Sequence, residues 1–296
     1  MTTKSKNLVS LAAVLMLGIG TLVLVKPAHD LSDRQGKVVD AAMIPSGRAK
    51  APGAPLVASG HGKVVDAVIA RNVSARGGPD AWRNVDTLQL TGKMDVGQGL
   101  RVPYVMEQKR PGKMCLEFDF DNQTATQCVD GQTGWKRLPF MGRTAAEPMT
   151  GMELSEMAGA ANLDGLLFDS DKHGYKVELI GPEAVNGKHT TKLKVTLPGG
   201  ALRWVYIDDE TGLEVKIEAT RALRGQERLV ETTYSDWQRV EGFLISRRQE
   251  TRYKGEKGSY FVTVESVRVN LPLEDSRFAM PAAGGVESGL TQEKSS

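Results

Sequence analysis

The chain has 296 residues, of which 40% are apolar, 25% charged and 6% aromatic, a composition typical of a globular protein. The net charge is +2, and the first 30 residues supply this excess, so the rest of the chain is neutral. This balance gives no electrostatic case for binding to nucleic acid.

An uncharged apolar run occupies residues 8–25, directly after Lys4 and Lys6, and this arrangement is typical of export. A helix of this length would span roughly 27 Å, close to the hydrocarbon thickness of a bilayer. The nearest cleavage site is poor because Lys26 lies at the third position before the cut. We therefore assign residues 1–29 to an export signal or membrane anchor. The run favours an anchor, with membrane contact through residues 8–25 if it is uncleaved, and a cleaved signal is the alternative.

Residues 30–61 are rich in Ala, Gly, Pro and Ser without periodicity, which predicts a flexible linker. A helix is predicted over residues 62–75, because valines such as Val65 and Val68 cluster on one of its sides. The glycine pair at 77–78 ends this helix.

The clearest single element is a β-hairpin within residues 109–135, where apolar and polar side chains alternate with a period of two. Asp121 and Asn122 supply the turn. With the turn centred there, Cys115 falls opposite Cys128 at a position where side chains lie closest. In an oxidising compartment the pair would form a disulfide, which a chain-entropy model values at roughly 3 kcal/mol. Two free thiols that face each other are the alternative.

Strand-like alternation precedes this hairpin, continues to Trp135, and resumes from residue 175 to about residue 270. About a dozen strands joined by tight turns predict an antiparallel meander. Because a sheet of this size tends to curl, its apolar face must be covered or must hold a ligand. The predicted fold class is mainly β (α+β): a large curved antiparallel sheet or half-open β-barrel, with short helices covering the concave face.

Residues 141–173 interrupt the alternation and predict short helices and loops, not strands. Together with residues 62–82, they are the candidates to cover the concave side of the sheet. The segment is rich in methionine, which makes adaptable linings for ligands. The alternative is that these methionines only fill the core.

Catalytic and metal-binding motifs are absent from the sequence. The four histidines lack metal-ligand spacing, and two cysteines do not make a zinc site alone. The chain has no nucleophile elbow, P-loop or dinucleotide fingerprint. We therefore expect no enzyme activity, no catalytic residues, no metal and no cofactor.

Several stretches with characteristic strand and turn patterns follow one another along the chain. They are ARGGPDAWRNVDTLQLTGKM (75–94), KRPGKMCLEF (109–118), VDGQTGWKRLPF (129–140), GYKVELIGPEAVNGKHTTKLKVTLPGG (174–200), YIDDETGLEVKIE (206–218) and VNLPLEDSRFAMP (269–281). In this order they resemble the outer-membrane lipoprotein-sorting proteins of the LolA/LolB-like superfamily. The resemblance implies a half-open antiparallel barrel with helices packed into its mouth and a cavity for acyl chains. This chain is longer than the minimal soluble carrier and lacks the lipobox cysteine of the receptor branch.

The predicted domain organisation follows from these patterns. Residues 1–29 are the export segment, 30–61 the linker, 62–281 the LolA/LolB-like domain and 282–296 a disordered tail.

The resemblance implies an envelope protein that binds a lipid or lipoprotein acyl chain in the periplasm of a Gram-negative bacterium. Its role would be lipoprotein or lipid sorting or transport to the outer membrane, with an inner-membrane transporter or an outer-membrane acceptor as further partners. Related chains carry other lipids or sense envelope stress. The alternative is therefore a non-catalytic module on the same fold that binds a protein or senses the envelope.

The candidate ligand-binding residues come from the hairpin, the methionine-rich insert and two later strands, and we expect them to meet on the concave face. They are Leu116, Phe118, Met149, Met152, Leu154, Met157, Leu166, Leu167, Phe168, Trp204 and Val215. If the insert does not belong to the packing of the sheet, a charge at Met157 or Leu167 should abolish binding without unfolding the domain.

Overall fold

The computed structural model describes residues 61–282 except residues 98, 224, 225 and 257. The predicted export segment, the linker up to residue 60 and the tail from residue 283 lie outside the described residues. Within the described range, none of the helices is long and apolar enough to span a bilayer.

Three α-helices, two short 3-10 helices (Pro139–Met141 and Asp275–Arg277) and thirteen strands are found in the described chain. The α-helices are α1 (His61–Ala75), α2 (Pro79–Arg83) and α3 (Gly151–Ala160). The strands are β1 (Thr87–Asp95), β2 (Arg101–Lys109), β3 (Lys113–Phe120), β4 (Gln123–Val129), β5 (Gly134–Leu138), β6 (Arg143–Pro148), β7 (Lys176–Val185), β8 (Lys188–Thr196), β9 (Leu202–Asp208), β10 (Glu214–Leu223), β11 (Gln226–Val240), β12 (Phe243–Tyr253) and β13 (Tyr260–Val269).

All thirteen strands belong to one antiparallel sheet in the order β6-β5-β4-β3-β2-β1-β13-β12-β11-β10-β9-β8-β7. Neighbours in the sheet are also neighbours in the chain, except that β1 pairs with β13. As a result, β6 and β7 are consecutive in the chain but lie at opposite edges of the sheet. The intervening residues 149–175 must therefore cross from one edge to the other. The predicted mainly β, half-open architecture is confirmed.

The interpretation of residues 141–173 as free of strands was wrong for β6. This strand pairs with β5, with Trp135 opposite Pro148 and Lys136 opposite Glu147. Its sequence, RTAAEP, has no apolar alternation because the strand is at the edge and is largely solvent-exposed or half-buried. Proline is tolerated at an edge, where a missing backbone donor breaks no ladder. Residues 143–148 therefore form a strand because they pair with β5, and the local sequence pattern does not predict it.

The β3–β4 hairpin has the predicted register, with Cys115 opposite Cys128 at a Cα–Cα distance of 4.1 Å. Asp121 and Asn122 both have positive φ, 53° and 57°, as a two-residue hairpin turn requires. The cysteines are joined as a disulfide in the structure. They lie on the opposite face of the strand from Leu116, which belongs to the main apolar core.

The segment after β13 packs over the disulfide face of the sheet. Phe278 is fully buried there beside the disulfide, and its carbonyl oxygen accepts a hydrogen bond from Trp135 Nε1 at 2.9 Å. Asp275 contacts Lys109 Nζ at 2.8 Å and Lys113 Nζ at 2.6 Å. The hydrogen bonds from these two lysines lower the pKa of Asp275 to about 2. The segment after β13 therefore belongs to the folded domain as far as Phe278.

Candidate functional site

The N-terminus of α3 is fixed to the sheet by polar contacts. Thr150 caps the helix, and the Glu153 carboxylate accepts a hydrogen bond from the Thr150 backbone N–H at 2.8 Å. Glu153 also pairs with Lys136 of β5, and both side chains are buried. Lys136 also lies 3.7 Å from Glu147, whereas removal of Lys136 would leave the buried Glu153 carboxylate without a cationic partner, so this pair ties α3 to β5.

The chain after α3 is held to the β2–β3 turn by an ion pair. The Arg110 guanidinium binds both carboxylate oxygens of Asp164, at 2.7 and 2.5 Å, and His173 Nε2 lies 3.0 Å from Oδ2 of the same carboxylate. Burial of Asp164 opposes ionisation, but the contacts with Arg110 and His173 outweigh it and lower the pKa of this carboxyl. The insert, residues 149–175, is thus attached to the sheet at its start, through Glu153, and near its middle, through Asp164.

Five of the predicted residues meet in one apolar cluster between α3 and the β3 side of the sheet. They are Leu116, Phe118, Met149, Leu154 and Met157. Gly134 makes room for them, since a Cβ atom at this position would lie 2.8 Å from Met149 Sδ. Met152 lies in α3 with two of them.

These contacts are those of a packed core. Met157 is only 4% exposed. Leu167 is only 1% exposed and packs with Leu193 and Val205. The expectation that the insert is separate from the packing of the sheet was therefore wrong. A buried, unpartnered charge at Met157 or Leu167 would unfold the domain, because it must be desolvated without compensation.

The remaining insert residues lie on the same concave side. Phe168 packs with Trp82 and Phe243, whereas Leu166 is half-buried and faces an open space.

Trp204 and Val215 are placed elsewhere, in a cluster with Tyr206 and Val185. On β9 the inward positions are Arg203, Val205 and Ile207, so the alternating Trp204 points to the other face. For Val215 the cause is a register irregularity between Glu214 and Lys216, which changes the face presented by the following residues. The structure therefore does not bring these two residues to the concave face, where Leu116, Phe118 and the described insert side chains lie.

A cavity of about 270 Å³ separates the insert from the concave face of the sheet. Its roof comes from the end of α3 and the following residues, including Leu163 and Leu166, and Trp82 of α2 closes one side. The sheet contributes an apolar floor from strands on both halves, which includes Leu90, Met106, Val205, Ile217, Val230 and Val264. The volume is close to the lower end of the range for small-molecule pockets, roughly 300–1,000 Å³.

Charged side chains lie at two levels of this cavity. At one level, Arg76 pairs with Glu214 at 3.6 Å, and burial together with Glu214 raises the pKa of the nearby Tyr234 hydroxyl to about 12. At the other level, Arg221 pairs with Glu156 of α3 at 3.5 Å, and Arg203 lies on the neighbouring strand. The cavity is thus apolar in the middle and charged towards its ends.

Sequence reasoning found Leu166 but missed the other lining residues. Arg203 and Arg221 occupy strand positions in register with inward apolar residues such as Val205 and Ile217, but only the structure shows which face of these strands is inward. A charge at a position with core parity is expensive to bury, so it marks a site that needs an explanation. No set of three or more potential metal-ligating side chains is found within the described part of the chain.

No protein-family model matches the sequence, and no curated protein is found to be similar to it. Solved structures do match. The domain superposes on a Nitrosomonas europaea LolA superfamily protein with a TM-score of 0.51 and 11% identity, over 73% of this chain and 97% of that chain. The domain has the fold of the LolA superfamily.

Two further structures with this LolA-like fold come from other bacteria. A Vibrio parahaemolyticus domain assigned to outer membrane lipoprotein sorting matches with a TM-score of 0.51 and 13% identity, over 72% of this chain and 94% of that chain. A DUF1329 family protein from Desulfovibrio piger matches with a TM-score of 0.52 and 14% identity, over 73% and 97%. What these chains share with the present one is the LolA-like fold, so its function is argued from the cavity itself.

Proposed function

We propose that this protein binds an acyl chain of a lipid or lipoprotein in the cavity of its LolA-like domain. The observation that carries the proposal is the partly open cavity with an apolar middle between the concave face and the insert. Transfer of methylene groups from water contributes about 0.8 kcal/mol each, so eight buried methylenes would contribute about 6 kcal/mol. Part of this gain offsets the translational and rotational freedom that the ligand loses on association, so the net affinity is lower than the transfer free energy alone would give.

The proposed setting is the periplasm of a Gram-negative bacterium, in sorting or transport of lipids or lipoproteins to the outer membrane. An apolar export segment at residues 8–25 and the LolA-like fold support this setting. Fractionation with a carbonate wash tests the anchor, and a soluble product that begins near residue 29 would contradict it. Cross-linking in cells would identify an inner-membrane transporter or an outer-membrane acceptor as partner.

Native mass spectrometry of protein isolated gently from envelope extracts tests the binding. We expect a co-purified species with the mass of an acyl lipid. Delipidated protein should then bind a dansyl-labelled fatty acid with a blue-shifted emission. A delipidated, folded protein that gives no shift at any probe concentration below micelle formation would contradict the proposal.

The second candidate is a non-catalytic module that binds a protein or senses the envelope. It is favoured by the edge strand β7, which has one partner, β8, in the described sheet and carries Ile180 with 53% exposure. Edge strands of this kind can accept an added strand from a partner. A stoichiometric polypeptide in the same mass spectra, without a lipid, would support this alternative.

A further inference from the structure

One guanidinium in the cavity lacks an acidic partner. Arg203 is the second residue of β9 and lies directly between two buried residues, Val195 of β8 and Ala219 of β10. Its Nη1 donates a hydrogen bond at 2.9 Å to the carbonyl oxygen of the adjacent Leu202. Among the residues that the structure describes, no carboxylate lies within salt-bridge distance of Arg203.

The other charges of the cavity are matched in pairs. Arg76 faces Glu214 and Arg221 faces Glu156, at 3.6 and 3.5 Å. These four residues and Arg203 are the charged residues of the described cavity lining. The lining therefore carries one positive charge in excess, and that charge belongs to Arg203.

Arg203 is half-buried, so its guanidinium loses part of its hydration in the unliganded protein. Burial lowers the pKa of the guanidinium, although Glu156 partly opposes this, and Arg221 adds a like charge nearby. A guanidinium nevertheless remains protonated in proteins, so the charge persists without a counter-charge in contact. An anion from a ligand would offset the lost hydration with charge-assisted hydrogen bonds.

Arg203 also lies at one end of the cavity, so that a polar head group bound to it leaves the apolar floor free for the rest of the ligand. It follows the tight turn between β8 and β9, and Arg221 precedes the end of β10 at the same end of the paired strands. The Arg76–Glu214 pair lies at the level of Ile207, four residues further along β9, or roughly 13 Å away. A ligand with its polar group at Arg203 would extend its apolar part over Val205 and Ile217.

We infer that the ligand is a single-chain amphiphile with an anionic head, a carboxylate or a phosphate, and that Arg203 binds this head. The inference rests on the proposed acyl-chain function and specifies its substrate class. The planar guanidinium presents paired donors that fit either oxyanion. A fatty acid and a single-chain phospholipid share this chemistry.

The test compares three probes of equal chain length, an alkyl carboxylate, an alkyl phosphate and the neutral alkanol, by displacement of a dansyl fatty acid. The unmodified protein should bind at least one of the anions about 10- to 100-fold more tightly than the alkanol. The preferred anion distinguishes a fatty acid from a phospholipid source. Arg203→Gln should lose this preference while its affinity for the alkanol stays unchanged. Arg252→Gln, an exposed arginine of β12 outside the cavity lining, should keep the preference.

The outcomes separate the two levels of the argument. If none of the three probes binds the folded protein, the acyl-chain function itself fails. If the unmodified protein binds alkanol and anions equally, the inference about Arg203 is wrong while the acyl-chain function stands. A preference that persists in Arg203→Gln, with alkanol binding as the check on folding, would likewise overturn it.

Discussion

Ala219→Leu should weaken ligand binding by filling the cavity without lowering the stability of the domain. Ala219 is buried at 4% exposure in the middle of β10, and its Cβ faces the cavity. Leucine adds three carbons, which would take the place of about three methylenes of a bound chain. At about 0.8 kcal/mol each, the loss of binding free energy is about 2.4 kcal/mol, or roughly 50-fold in Kd.

The stability of the unliganded variant provides an independent check. If the added carbons occupy empty space, the free energy of unfolding should stay constant or increase, because apolar surface is buried without overpacking. If the space were already filled, overpacking would cost about 1–3 kcal/mol. Urea unfolding distinguishes the two cases by the sign of the change in the free energy of unfolding.

The matched control is Thr220→Leu, the next residue of the same strand, which is exposed and lies outside the cavity lining. It introduces the same side chain in the same strand but should leave the affinity for a dansyl fatty acid unchanged. Equal affinities of the two variants would refute the assignment of the cavity as the acyl-chain site. A destabilised Ala219→Leu protein would show that the space is not available to a ligand.

Three further predictions concern the stability of the domain. Phe278→Ala should lower the free energy of unfolding by about 3–5 kcal/mol in urea titrations, because it removes a fully buried ring beside the disulfide. Thiol titration of the denatured, unreduced protein should find neither Cys115 nor Cys128 free, and reduction should cost roughly 3 kcal/mol. The lowered pKa of Asp164 means that its contribution is complete above the ordinary value of 3.8 and is lost as the pH falls below it. Asp164→Asn should therefore destabilise the domain at pH 7, and the difference from the unmodified protein should shrink in acid-unfolding curves between pH 4 and the lower folded-state pKa.

Elements that depend on neighbouring residues could be predicted from the sequence. The β3–β4 hairpin was predicted in the correct register because Asp121 and Asn122 tolerate the positive φ of a two-residue turn. The end of α1 follows from the glycines at 77 and 78, whose positive φ values of 125° and 92° end the helix. Short-range sterics and side-chain periodicity carry this information.

The faces of β9 and β10 could not be predicted in the same way. Both faces of β9 are apolar, so alternation does not tell Trp204 from Val205. On β10, Val215 and Ile217 have the same parity in the sequence, yet the irregularity at residues 214–216 places Val215 with Tyr206 and Ile217 in the cavity lining. A shift of one residue exchanges the two faces of a strand, and its energy comes from contacts with the partner strand.

The sequence by itself determined the class of fold, the hairpin with its opposed cysteines, and the presence of a methionine-rich insert. Only the tertiary structure decided that β1 pairs with β13, that β6 and β7 become opposite edges, and that the insert must therefore cross the sheet. The cavity and the isolated charge of Arg203 arise from that crossing, because they depend on which distant strands face the insert. Local propensity depends on residues that are close in the sequence. The site is formed by residues more than 100 positions apart, such as Leu90 and Arg203, because the packing of the whole sheet brings them together.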